Sequence, residues 1–208
     1  MMLINPFMVA HAIPASTKIL MPFTTASGFT DIANNHAITV IGTPTIATLG
    51  GVFDSGALLV SGTSYIRIDS TPTLSLGGQV PFTFECDVYI TGGTAPYGFL
   101  SMRTSATYVP VVANAQYSLI GNSALSSWAT LTGVVSLNAK THVAIVGDGT
   151  NIKQYINGVL KSTTAHSNWA STNRFLNIGW DFSAVSTGYI SNFKFSDIAV
   201  YTADFTPS

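Results

Sequence analysis

Apolar and polar positions alternate along much of this chain, and the alternation predicts strands. The clearest run is Pro81 to Ile90. Phe82, Phe84, Cys86, Val88 and Ile90 fall on one side, and Thr83, Glu85, Asp87 and Tyr89 fall on the other. A period of two is the mark of a half-buried strand, which makes Glu85 and Asp87 part of its polar face. Lys18 to Phe23, Ala37 to Ile41 and Tyr65 to Ile68 read as earlier strands, with Gly50-Gly51 and Ser55-Gly56 as punctuation between the last two. Lys140 to Val146 reads as another. It is followed by Asp148-Gly149, a turn, and then by Ile152 to Leu160, which Asn157-Gly158 interrupts. An Asn-Gly pair between two apolar runs predicts a two-residue hairpin, because both turn residues need positive φ. Its register would pair Ile156 with Val159 and Tyr155 with Leu160. Weaker strand candidates occupy residues 97 to 135, Phe175 to Gly179 forms a further one, and Gly188 to Phe195 closes the series. There is no amphipathic helix and no internal repeat. Many short strands with Gly and Asn turns imply an all-β fold, an antiparallel sandwich or jelly roll.

Residues 1 to 16 show neither period. They hold Leu3, Ile4, Pro6, Phe7, Met8 and Val9 and no Lys, Arg, Asp or Glu. Proline at positions 6 and 14 favours an extended path over a helix. An apolar segment of this kind is an aggregation liability unless something covers it. The expected organisation is therefore a docking arm over residues 1–16 and one β domain over residues 17–208.

Composition narrows the class. Charged residues make up 8% of the 208, against roughly 25% in an average soluble domain. Ser, Thr, Asn and Gly supply the polar surface instead, which suits a protein packed into an assembly. The formal net charge of -1 offers no basic field for nucleic acid or anionic lipid. No stretch reads as a membrane span, and no basic residue precedes Lys18, so the start lacks the charged region of a secretory signal. Cys86 is the single cysteine, so no intramolecular disulfide forms. Its alternation with Phe84 and Val88 marks it as an inert buried thiol.

Candidate chemistry is sparse. Retaining glycosidases need two carboxyl groups about 5–5.5 Å apart, and Glu85 is the only glutamate. A Ca²⁺ ion wants six to eight oxygen ligands; the aspartates are scattered, with no Asp-x-Asp run, so a calcium site lacks support and no cofactor is expected. His11, His36, His142 and His166 lack zinc-ligand spacing, and His142 reads as a packed or hydrogen-bonded core residue. Glycan recognition asks for an aromatic platform beside amide or carboxylate groups. Trp128, Trp169 and Trp180 with Asp181 are the candidates: Asn168-Trp169 lies in a polar, loop-like stretch, and Trp180-Asp181 leaves the strand ending at Gly179.

The order of signals in the last third carries a family resemblance. Lys140 to Val146, the Asn157-Gly158 hairpin, Gly188-Tyr189-Ile190-Ser191-Asn192-Phe193 and Val200-Tyr201-Thr202-Ala203-Asp204-Phe205-Thr206-Pro207 together resemble the concanavalin A-like lectin/glucanase jelly roll in its laminin-G-like form. Phe53-Asp54-Ser55-Gly56 sits where that family has a Phe-Asp-Gly turn. Phe82 to Tyr89 matches its Phe-Thr-Ile-Glu-Phe-Trp-Val-Tyr strand, with Cys86 and Asp87 in place of the aromatic pair. The family's catalytic strand reads Glu-x-Asp-x-x-Glu; here the third position is Ile90, so the resemblance implies a non-enzymatic member. More narrowly, the phrases around Gly188 and Tyr201, and the opening Leu3 to Phe7, resemble those of tailed-bacteriophage virion proteins. That resemblance implies a virion accessory protein made in the host cytoplasm, a head decoration or fibre-like protein, in many copies or as a homo-oligomer. Its partners would be other virion proteins of capsid or tail. The alternative is an adhesion module at the tail or fibre tip that binds host surface glycan. Glycan depolymerisation and a secreted bacterial adhesin are weaker readings, opposed by the lone Glu85 and the missing signal.

Overall fold

The structure, a computed structural model, describes residues 12–76, 78–93, 97–102, 112–114, 117–121, 128–132, 135–165, 174–181 and 184–207, with only the backbone described over 112–114, 117–121 and 128–132 and at 174, 181, 184 and 185. The docking residues proposed in the arm, Leu3 to Val9, lie outside these.

Sixteen strands follow one another along the described chain: β1 (Thr17–Met21), β2 (Ile38–Ile41), β3 (Thr45–Leu49), β4 (Phe53–Ser61), β5 (Tyr65–Thr71), β6 (Phe82–Gly93), β7 (Gly98–Ser101), β8 (Val112–Asn114), β9 (Tyr117–Gly121), β10 (Trp128–Thr132), β11 (Thr141–Gly147), β12 (Asn151–Ile156), β13 (Val159–Ala165), β14 (Arg174–Ile178), β15 (Trp180–Asp181) and β16 (Ala184–Ser196). The one helical element among the described residues is a 3₁₀ turn at Pro72–Leu74, capped by the Thr71 hydroxyl. Two antiparallel sheets result. One has nine strands in the order β13-β12-β11-β6-β16-β4-β3, with β1 and β15 also paired to β16; the other has seven, in the order β10-β9-β8-β7-β14-β5-β2. The fold is the all-β sandwich expected from the alternation.

The core lies between the sheets. Phe82, Phe84, Cys86, Val88 and Ile90 of β6 face Ile66 and Ile68 of β5, Leu176 and Ile178 of β14 and Phe99 of β7 in one buried cluster. Phe84 and Phe195 stand 4.8 Å apart, ring centre to ring centre. Each such side chain contributes roughly 1.5–3 kcal/mol by leaving water. The inward set of β6 is the one its alternation predicts, but the other set departs from expectation. Thr83, Glu85 and Asp87 are buried as well, Glu85 with 4% and Asp87 with 2% of its surface exposed. The reason lies outside the strand. After β16 the chain crosses the outer face of the nine-stranded sheet as a strap, residues 197–207. Ala199, Tyr201 and Phe205 of the strap pack on Ala144, Val146 and Tyr155. A half-buried strand becomes a fully buried one when a later segment covers its polar side.

Two local devices hold the strap. Thr83 donates its hydroxyl to the carbonyl of Ile198 (2.8 Å) and accepts from the amide of Val200 (2.9 Å). At the other end, Asp204 accepts from the amide of Leu160 (2.8 Å) and the amide of Phe205 donates to the carbonyl of Gly158 (2.9 Å). The hairpin they meet has the expected register, Ile156 opposite Val159 and Tyr155 opposite Leu160. Asn157 and Gly158 turn the chain with φ of 52° and 76°. The Phe53-Asp54-Ser55-Gly56 phrase is strand, not turn. The turn comes just before it: the amide of Val52 closes onto the carbonyl of Leu49 and Asp54 accepts from the amide of Gly51 at 2.7 Å.

Candidate functional site

Several places gather polar chemistry, among them the buried Asp31 carboxylate against the His36 ring, and two bear on function. The first is under the strap, where β6 and β11 pair with Asp87 opposite His142 and Ala144 opposite Glu85. The His142 ring sits between both carboxylates: Nδ1 is 2.9 Å from Asp87 Oδ1 and Nε2 is 3.4 Å from Glu85 Oε2. Its backbone is held by Asn157, which donates its amide to the His142 carbonyl and accepts from the His142 amide, both at 2.8 Å. Cations and donors close the ring. Lys194 contacts Glu85 Oε1, Tyr201 donates to Glu85 Oε2 at 2.5 Å, Lys140 is 3.2 Å from Asp87 Oδ2 and Asn192 donates to the same oxygen at 3.0 Å. Asn192 reaches it from a bulge in β16 where its φ is 52°, a conformation asparagine tolerates. A cavity of about 250 Å³ adjoins the cluster, lined by Leu20, Glu85, Asp87, His142, Asn192 and Lys194.

Protonation in this cluster follows from geometry. Burial works against a charge on His142, but the hydrogen bond to Asp87 and then the close approach of the Glu85 carboxylate outweigh it and raise its pKa from the usual 6.5 to about 9. Burial also works against the charge on Glu85, yet contacts with His142, Lys194 and Tyr201 leave its pKa below the ordinary value. Asp87 is lowered in the same way, burial being outweighed by His142, Asn192 and Lys140. At neutral pH the arrangement is an imidazolium between two carboxylates. Neither carboxyl is held protonated, which is what a glycosidase acid requires. The cluster ties β6, β11, β16 and the strap together. Cys86, on the core side of the same strand, is fully buried, and burial followed by the charges of Asp87 and Glu85 pushes its thiol pKa up. Its burial is the one its alternation predicts.

The second place is the outer face of the seven-stranded sheet. Since Ile66 and Ile68 of β5 and Leu176 and Ile178 of β14 point into the core, Tyr65 and Arg67 and then Phe175 and Asn177 point out. The register sets Thr39, Arg67, Asn177 and Ser101 in a row across four strands. Arg67 donates from Nε to Asn177 Oδ1 (3.0 Å) and from Nη2 to the Tyr65 hydroxyl (3.4 Å). Its guanidinium carbon lies 4.5 Å from the centre of the Phe175 ring. Trp180 stacks on Tyr65 with ring centres 5.1 Å apart and planes within 12°. Tyr65 and Asn177 are buried beneath this face, and Arg67, Phe175 and Trp180 are its half-buried members: aromatic rings beside a guanidinium, the kind of mixture that meets the apolar face and the hydroxyls of a sugar.

The sequence-based candidates distribute unevenly. Trp180 meets this face by its stack on Tyr65, from β15, which pairs with β16 of the nine-stranded sheet. Asp181 follows it in β15, with only its backbone described. Trp128 opens β10, at the far end of the seven-stranded sheet's strand order, its backbone paired with Gly121; its side chain and all of Trp169 lie outside the described residues. Sequence reasoning missed Arg67, Phe175 and Asn177. Their signal was present in the alternation of Tyr65-Ile66-Arg67-Ile68, which puts an arginine on the face opposite two isoleucines. Among the described residues no group of three or more His, Cys, Asp or Glu is placed to hold a metal ion, and Asp148 serves its turn, accepting from the amides of Thr150 (2.9 Å) and Asn151 (2.7 Å).

Known proteins share this architecture. Domain 4 of AbnA, a GH43 extracellular arabinanase from Geobacillus stearothermophilus solved with arabinotriose, is similar at a TM-score of 0.72 and 18% identity, over 89% of this chain and 94% of that one. The binding domain of Paraclostridial Mosquitocidal Protein 1 is similar at 0.70 and 10%, and that of botulinum neurotoxin serotype G at 0.64 and 13%. The chain covers 50% and 47% of those two, about half their length. At these identities the likeness is one of fold. Among curated proteins no relative matches. A family model for the concanavalin A-like lectin/glucanases superfamily matches residues 60–208, from the end of β4 through the strap. With most of its length matched and its two sheets arranged as described, this chain belongs to the concanavalin A-like lectin/glucanase superfamily, in its laminin-G-like form.

Proposed function

We propose that this chain is a non-catalytic glycan-binding module whose binding face is the outer face of the seven-stranded sheet. The observation that carries the reading is the Tyr65–Trp180 stack beside Arg67, Phe175 and Asn177. Rings give a flat apolar surface, and the guanidinium and amide fix direction on it. The arabinotriose in the name of the AbnA domain 4 structure supports the reading, because that domain shares this fold over nearly its whole length. A binding role without turnover is favoured by the ionised states of Glu85 and Asp87 and by their engagement with His142. Binding of an immobilised glycan panel to the purified protein tests the reading. Trp180→Ala should weaken any captured glycan by about tenfold, the order of one stacked ring. Equal binding by Trp180→Ala would refute the assignment of this face.

The setting we propose is a bacteriophage particle, in which residues 1–16 dock the module on a capsid or tail protein. This part rests on the resemblance of the phrases around Gly188 and Tyr201 and of the opening residues. Much of those phrases also serves packing. A Cβ on Gly188 would stand 2.2 Å from the Tyr89 carbonyl oxygen, Asn192 forms the bulge under Asp87, and Tyr201 and Phe205 form the strap. Deleting residues 2–14 should leave a folded domain that no longer enters particles. Incorporation at normal copy number would remove the arm from the account.

A further inference from the structure

The outer face of the seven-stranded sheet holds a cation that forms no ion pair among the described residues. Four described lysines have carboxylate partners: Lys18 with Asp197, Lys140 with Asp87, Lys153 with Asp148 and Lys194 with Glu85. Arg67, half-buried, has none among the described residues; it contacts an amide oxygen, a phenol and an aromatic ring. The one carboxylate of β5, Asp69, lies on that side, accepts from the Thr39 hydroxyl at 2.8 and 3.0 Å and forms no ion pair with Arg67. Withdrawing a charge partly from water without an opposite charge is costly, and the fold keeps it there. The chain has a formal net charge of -1 and 8% charged residues, so Arg67 is not one member of a general basic field.

The geometry points to an oxyanion-bearing glycan, carboxylated or sulfated, as the ligand of this face, with its acidic group on the guanidinium of Arg67. This inference rests on the glycan-binding reading and names the substrate class. The Nε–H is spent on Asn177 Oδ1, which fixes the plane of the guanidinium. The Phe175 ring lies against one face of that plane. What remains is the pair of terminal nitrogens, and of their four N–H donors one reaches the Tyr65 hydroxyl at the long distance of 3.4 Å. A fork of parallel N–H groups matches two oxygens of a carboxylate or sulfate and does not match a single hydroxyl. Beside it, Asn177 Nδ2 is a buried donor with no acceptor among the described residues. On the same side the half-buried Trp180 stacks on the buried Tyr65, which holds the indole as the ring that a saccharide would meet.

The test is calorimetric titration of the whole chain with three probes of matched length: an oligogalacturonate, its methyl ester and a sulfated oligosaccharide. At least one acidic probe should bind at least ~10-fold tighter than the neutral ester, the size of a charge-assisted fork contact. The carboxylated and sulfated arms tell which oxyanion is preferred. Arg67→Gln should abolish the preference, and Arg67→Lys, which keeps the charge but not the fork, should restore only part of it. Binding of the acidic probe by the unaltered chain should weaken with added NaCl, a readout that survives if Arg67→Gln fails to fold. Ester and acid bound equally well, or a preference that persists in Arg67→Gln, overturns the inference and leaves the glycan-binding module intact. If none of the three probes binds and no neutral glycan in the panel binds, the inference falls together with the module reading.

Discussion

The carbonyl of Gly158 accepts from the amide of Phe205 at 2.9 Å, so the tip of the β12–β13 hairpin is also the seat of the C-terminal strap. The position therefore answers to two demands. Its φ of 76° suits glycine, and a Cβ would stand 1.8 Å from the Phe205 carbonyl oxygen. Gly158→Ala should destabilise the fold by about 2 kcal/mol or more, from left-handed backbone strain plus displacement of the strap. A thermal melt checks this, and an unchanged midpoint would mean that the strap does not depend on the turn.

Stability should follow the charge state of the His142 cluster. The His142 pKa is raised to about 9. Its contribution is therefore complete below the unfolded value near 6.5 and disappears as pH rises through 9. Glu85 and Asp87 are lowered. Their contribution is present above the ordinary carboxylate range near 4 and is lost as pH falls below it. Melting temperature should accordingly be highest between about pH 5 and 6.5 and decline towards both pH 3 and pH 10. His142→Gln leaves two carboxylates facing each other without the imidazolium and should cost about 3–5 kcal/mol. A flat profile from pH 5 to 10 would mean that His142 is neutral in the folded protein.

Cys86 should resist thiol reagents in the native state. Its side chain is fully buried between β6 and the opposite sheet, and its pKa is raised. Labelling should track global unfolding, so that its rate rises with denaturant as the population of open molecules does. Fast labelling without denaturant would show that the core opens locally at β6.

Local signals were legible in this sequence and convergent ones were not. Asn157-Gly158 determined a hairpin to the residue, because a two-residue turn with positive φ at both positions fixes its own register. The inward set of β6 was legible for the same kind of reason, since alternation is a property of neighbours. The burial of Glu85 and Asp87 was not, because Glu85 meets Tyr201 and Asp87 meets Asn192, each more than a hundred residues later. The pairing of Arg67 with Asn177 spans a separation of 110 residues and depends on the register of β5 with β14. Trp180 was found from residue type alone, since a tryptophan with a carboxylate at a strand exit is conspicuous. Arginine in a strand is not conspicuous, and its significance came from its forming no ion pair among the described residues.

The central claim is that saccharide binds the outer face of the seven-stranded sheet. Amide and side-chain NMR shifts recorded during titration with a captured glycan test it most directly. The expected shifts cluster on Tyr65, Arg67, Phe175, Asn177 and Trp180, with His142, Asn192 and the strap unmoved. Shifts centred on the cavity beside His142 and Lys194, with β5 and β14 silent, would contradict the account.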